Sequence, residues 1–176
     1  MVSHVELNSW RQAEEHFRNV DQDQGRKHYD REMFNCELAL NLMGIGTLYS
    51  CSGHLDGLAA FPYITIIPQR QVAGLVPRYV SMMEAQPLSP EALTVKNTIV
   101  QAMSELGQRL LSLLTGFYEE RQIPLPCHLV IQPNGLGSYT LLNQGAIVGL
   151  LSDQETLKAY QDEFMSFIEY LRSIWE

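Results

Sequence analysis

Gly44-Ile45-Gly46-Thr47-Leu48-Tyr49-Ser50-Cys51-Ser52-Gly53-His54, followed by Tyr63-Ile64-Thr65-Ile66-Ile67-Pro68, is the stretch that decides the fold. Upstream of it, apolar residues recur at helical spacing. Phe34, Leu38 and Leu42 line one face, and Met33, Cys36, Leu40 and Met43 lie beside them. Gly44 then stands where a helix closes in a Schellman motif: it can take the left-handed conformation, and Ile45 can fold back toward Leu40. Gly46 to Tyr49 reads as a short strand. Tyr63 to Ile67, rich in β-branched residues and stopped by Pro68, reads as a second. A helix therefore gives way to strand, decorated turn and strand, an antiparallel pair.

Working outward, the same logic predicts a second hairpin. Cys127 to Gln132 and Ser138 to Leu142 are strand-like, joined by Pro133-Asn134-Gly135-Leu136-Gly137. Gly145 to Leu151 reads as a further short strand. Between the hairpins, Val72 to Ala85 is helical in part, with Pro77 near a start. Ser89-Pro90-Glu91 opens a long helix as N-cap, N1 proline and first-turn acid. Its apolar positions run from Leu93 through Val100, Met103, Leu106, Leu110 and Leu114 to Phe117, and the pattern persists to Arg121. Such a helix measures about 45–50 Å, against roughly 40 Å for a compact domain of this size. It must bend, at Gly107 or Gly116, or overhang.

At the N-terminus, Trp10, Ala13, Phe17 and Val20 predict a helix over 8–20, and Asp21 to His28 reads as a solvated loop before a helix from Asp30 to Met43. The spacing of Asp21, Asp23, Gly25 and Glu32 only faintly suits a calcium loop, because Arg26 and Lys27 stand where oxygen ligands are needed. At the C-terminus, Ser152 and Glu155 form a capping box. Leu157, Tyr160, Phe164, Phe167 or Ile168, Leu171 and Ile174 or Trp175 then recur three and four apart. The order α-α-β-β-α-α-β-β-α predicts one α+β domain over 1–176, with two β-hairpins in a single mixed or antiparallel sheet packed by about five helices.

Composition narrows the function classes. Of 176 residues, 45% are hydrophobic and 18% charged, a folded balance. The net charge is −8, and among the twelve Lys and Arg only Arg26 and Lys27 are adjacent. Binding to nucleic acid needs clustered cations, so that partner is disfavoured, as is an anionic membrane surface. There is no apolar run long enough to span a bilayer and no signal-peptide pattern at the start. Three unspaced cysteines do not make a disulfide framework. A cytoplasmic protein is the expectation.

Ser50 to His54, with Asp56 beyond, is the densest chemistry in the chain. Cys51 is the candidate nucleophile, His54 its base or ion-pair partner and Asp56 the group that orients the imidazole. Cys51-x-x-His54 also has the spacing of two metal ligands, and Cys127-His128 would supply one more, since strand neighbours point to opposite faces. As a binding site, Ser50, Ser52 and His54 would offer hydrogen bonds, and Tyr49, Phe61 and Tyr63 apolar walls. Nothing in these residues specifies a cofactor. Arg78, Arg109 and Arg121 could meet an anionic ligand, though their spacing does not mark them. Asn134 to Ser138 is glycine-rich, but no helix follows to bind phosphate.

The segment Leu40 to Ile67, through Ser50-Cys51-Ser52-Gly53-His54 and Pro62-Tyr63-Ile64, resembles a group of small uncharacterised bacterial and phage proteins. Those carry a Ser-Cys-x-Gly-His turn between two strands. More distantly, Ser-Cys-Ser-Gly is similar to a motif of the wybutosine-synthesis tRNA methyltransferase family. That family has Arg where this chain has His54, and the departure, with the acidic charge, weighs against tRNA methyl transfer. The resemblance implies that Cys51 and His54 act as a unit.

Three classes of function follow. The first expectation is a binding module for a small molecule or a protein, with its site around the Ser50–His54 turn. The second is an enzyme built on Cys51 and His54. The third is a homodimeric scaffold, joined through the 90–121 helix or the 152–175 helix.

Overall fold

Strands Gly46–Cys51 (β1), Tyr63–Ile67 (β2), Leu129–Pro133 (β3) and Tyr139–Asn143 (β4) pair throughout as antiparallel neighbours, in the order β1-β2-β4-β3. The computed structural model describes residues 9–23, 33–55, 60–68, 70–85, 89–150 and 153–176. The two predicted hairpins thus join into one sheet along β2 and β4, and the chain has the α+β class its sequence implies.

Register assigns every strand residue to a face. Ser50, Ile64, Leu141 and Ile131 form one row across the sheet, and Cys51, Tyr63, Leu142 and Val130 the next. Opposed residues share a face and successive residues alternate. The first row lies under the helices: Ile64, Ile66 and Leu141 are fully buried in the main core. The second row looks away from it, and Tyr49, on the same side, is 68% exposed. A bulge between Thr47 and Tyr49 lets β1 keep this alternation.

The helices are Trp10–Asp23 (α1), Phe34–Leu42 (α2), Arg70–Ala73 (α3), Leu75–Ala85 (α4), Pro90–Tyr118 (α5), Gln144–Ile147 (α6) and Gln154–Trp175 (α7). α2 ends as its sequence predicts. Gly44 has φ +73°, its N–H reaches the Asn41 carbonyl at 2.9 Å, and the Ile45 N–H reaches that of Leu40 at 2.9 Å. That pair of bonds is the Schellman motif. It turns the chain straight into β1.

α5 runs unbroken for 29 residues, about 44 Å. Its N-cap is Ser89, whose hydroxyl accepts from the Ala92 N–H at 3.2 Å. Gly107 and Gly116 do not interrupt it. They are points of close approach: a Cβ at Gly107 would lie 2.7 Å from the Tyr139 hydroxyl, and one at Gly116 2.5 Å from that of Tyr170. The Tyr139 hydroxyl donates to the Met103 carbonyl at 3.1 Å. One face of the N-terminal half of α5 is covered by the chain itself. Val95, Ile99 and Met103 form a second, smaller core with Val72, Leu75, Val76, Tyr79 and Met82 of α3 and α4.

α7 spends its stripe inside the chain. Leu157, Tyr160, Phe164, Phe167, Ile168 and Leu171 are all buried, so these side chains are not available to a dimer seam. At the far end of α7, Trp175 meets Trp10 edge-on at 6.3 Å between ring centroids.

Four local expectations are corrected. Gly145 to Leu150 is not a strand but part of the short α6 and a turn at Gly149, φ +72°, and Leu151 lies outside the described residues. A buried Gly145 packs against Tyr160, which turns the chain off the sheet toward α7. Cys127 is not in a strand either. Pro124 and Pro126 fix a 3-10 turn over Leu125–Cys127, and β3 begins only at Leu129. The cap of α7 is Asp153, accepting from the Thr156 N–H at 2.8 Å; Ser152 lies outside the described residues. Asp21 to Asp23 are the last turn of α1, whereas 24–32, and with them the rest of the predicted loop, lie outside.

Phe164 is 1% exposed in the main core, so Phe164→Ala should cost about 3–5 kcal/mol in urea unfolding. Leu111, 55% exposed on α5, should lose under about 0.5 kcal/mol on the same change. Similar losses at both sites would contradict this division between core and surface.

Candidate functional site

The Ser50–His54 turn is held by its own glycine and by α7. Gly53 has φ +83°, a conformation that a side chain disfavours. A Cβ there would fall 2.7 Å from the Phe61 carbonyl carbon, 2.9 Å from the Pro62 nitrogen and 2.9 Å from Leu157 Cδ1. The turn is thus packed backbone to backbone on the segment entering β2, with α7 against it. Gln161 of α7 donates from Nε2 to the Ser52 carbonyl at 3.0 Å, and the Gly53 N–H points at Cys51 Sγ, 3.4 Å away.

Strand alternation divides the candidate residues into two groups. Ser50 shares the face of Ile64, on the helix side, and Ser52, 2% exposed, lies beneath α7. Tyr49, Cys51 and Tyr63 share the opposite face, where Phe61 meets Tyr63 edge-on at 6.5 Å between centroids. Burial, and then the neighbouring Cys51, push the Tyr63 phenol up from its ordinary value. His54 is exposed at the end of the turn. Asp56 lies outside the described residues.

On the helix side a groove of about 270 Å³ runs beside Ser52. Its apolar wall is Met33, Phe164 and Met165. Its polar groups are Asn35, Ser52, Gln161 and the Lys158–Asp162 ion pair. A second cavity, of about 230 Å³ and lined by Ile45, Ile67, Val72, Leu106 and Arg109, lies at the other end of the sheet. The Gly46–Ile67 pair there is about 17 Å along the strands from Cys51–Tyr63.

Cys127 and His128 do not join the turn. They lead into β3, the edge opposite β1, and three strand spacings amount to about 14 Å. The His128 ring stacks on Tyr118 at 4.4 Å with its Nε2 3.3 Å from the Ile123 carbonyl. Burial, then the charge of Glu163, push the Cys127 thiol up. Cys36, fully buried, is pushed up more strongly, by burial and then by Glu37. Among the described residues no three His, Cys, Asp or Glu side chains gather into a metal site. The three arginines have local duties: Arg78 pairs with Glu91, Arg109 donates to the Met43 carbonyl at the end of α2, and Arg121 pairs with Glu163.

Sequence reasoning missed the α7 side of the groove. Lys158 and Met165 each lie three and four residues from Gln161 and Asp162 beside the core stripe, a mixed face that periodicity alone leaves as surface. No protein-family model, curated protein or solved structure matches this chain.

Gly53→Ala would force a Cβ onto backbone atoms in a left-handed conformation. The expected loss is about 2–4 kcal/mol of stability, read from urea unfolding. A neutral outcome would show that the turn can shift off Phe61 and Pro62.

Proposed function

We propose that this protein is a small-molecule-binding module whose site is the groove between the Ser50–His54 turn and α7. The Gln161 bond to the Ser52 carbonyl carries the reading. It ties the decorated turn to the helix that forms the other bank, so the site is preformed rather than assembled around a ligand. The volume, about 270 Å³, is just under the roughly 300 Å³ at which drug-sized sites begin. The ligand is therefore compact. Met33, Phe164 and Met165 suit an apolar body. The Asn35 and Gln161 amides, which both donate and accept, suit one hydrogen-bonding edge.

Methionine-methyl NMR tests this with a library of small amides and alcohols. Binders should shift the methyl signals of Met33 and Met165, and Met165→Trp, which fills the groove, should weaken them at least about tenfold. Binders that shift other methionines only, or that survive Met165→Trp, would sink the proposal.

A second reading rests on the other face. The Gly53 N–H points at the Cys51 sulfur, and Tyr49, on the same face of β1, is exposed. Cys51 would be the nucleophile and His54 its base. If so, iodoacetamide at pH 6.5 should label Cys51 faster than it labels glutathione, and His54→Ala should remove the difference. Labelling at the glutathione rate would end this reading.

A further inference from the structure

One corner of the core holds polar side chains that the fold pairs only in part. Arg121, just beyond α5, pairs with Glu163 of α7 at 2.6 Å between Nη2 and Oε2, and its guanidinium lies over the Phe117 ring at 4.4 Å. Asn143, the last residue of β4, donates from Nδ2 to the Cys127 carbonyl at 2.8 Å. Tyr160 stands one turn before Glu163, its hydroxyl against Gly145, where a Cβ would approach it to 1.9 Å. Cys127 ties the group together. Its carbonyl accepts from Asn143, and Pro126 before it packs at Gly145 beside the Tyr160 hydroxyl. Asn143, Tyr160 and Glu163 are 0%, 1% and 5% exposed.

Four buried side-chain atoms among the described residues meet no hydrogen-bond partner at full bonding geometry, and all four are here: Arg121 Nε, Asn143 Oδ1, Tyr160 Oη and Glu163 Oε1, with the Tyr118 phenol also against the Glu163 carboxylate. Buried polar atoms are rarely left unbonded, because each forfeits its hydration for nothing. Their chemistry is specific. The Glu163 and Asn143 oxygens only accept, Arg121 Nε only donates, and the Tyr160 hydroxyl does both. A guest that answers this set must offer two donors and two acceptors, which is the hydrogen-bonding capacity of water. A metal ion does not answer it, since Arg121 already balances Glu163 and an ion cannot accept from a guanidinium.

We propose that this corner is an internal water site. Water donates to Glu163 Oε1 and Asn143 Oδ1 and accepts from the Tyr160 hydroxyl, and Arg121 Nε–H is met by the same molecule or by a second one chained to it. The site joins β4, α7 and the end of α5 through hydrogen bonds rather than apolar contact.

Tyr160→Phe, measured in the full chain, separates the outcomes. Loss of a hydroxyl bonded to water should lower Tm by about 2–4 °C, whereas loss of an unbonded one should leave Tm unchanged or raise it. In the wild type, water cross-peaks should appear at the Asn143 side-chain amide, and magnetic relaxation dispersion should count at least one fewer long-lived water in the variant. The proposal needs both results; an unchanged or raised Tm, or no such water, overturns it.

Discussion

Burial of the α7 stripe is the contact on which the rest of the structure depends. Leu157 closes on Gly53, Phe164 and Phe167 enter the core with α2 and the sheet, and Trp175 meets Trp10 of α1. Each buried aromatic or aliphatic side chain contributes about 1.5–3 kcal/mol. One helix thus touches the beginning, middle and end of the chain. It also fixes the two polar features of the protein, holding the turn through Gln161 on one side and the Glu163 cluster on the other.

The candidate chemistry follows from the two-residue period of β1. Ser50 and Ser52 pass to the helix side, whereas Tyr49 and Cys51 pass to the open side. Residues that are neighbours in sequence therefore belong to different environments, one beside a bounded groove and the other on the opposite face of the sheet. The binding and thiol readings concern different surfaces, and a ligand in the groove need not touch Cys51.

Much of the fold was legible because its rules are local. The Gly44-Ile45 ending, the Ser89 cap, both hairpins and the α7 stripe each depend on a few adjacent residues, and each stands where the sequence puts it. The failures are tertiary. Nothing local says that β2 pairs with β4, so nothing in the sequence places Cys127 and His128 across the sheet from Cys51. Gly107 and Gly116 look like weak points in a helix until Tyr139 and Tyr170 are seen against them. Gly145 to Leu151 has a strand's apolar residues, but the seat of Tyr160 on Gly145 decides otherwise. The groove was half legible: Ser52 was marked by its turn, whereas Gln161 is one polar residue among many on a helix.

α5 passes from one apolar cluster to another along a single hydrogen-bonded rod. Its C-terminal half is sealed by the sheet and α7, and its N-terminal half, among the described residues, by the short α3 and α4 with Tyr139. Helical hydrogen bonds open when the packing over them opens. The smaller cluster has less apolar area to hold it shut, so the first turns of α5 and the α4 that covers them are expected to open before the rest of the helix. Backbone continuity does not make the rod uniform: its packing changes along its length, and Met103, bonded through its carbonyl to Tyr139, stands where one cluster gives way to the other.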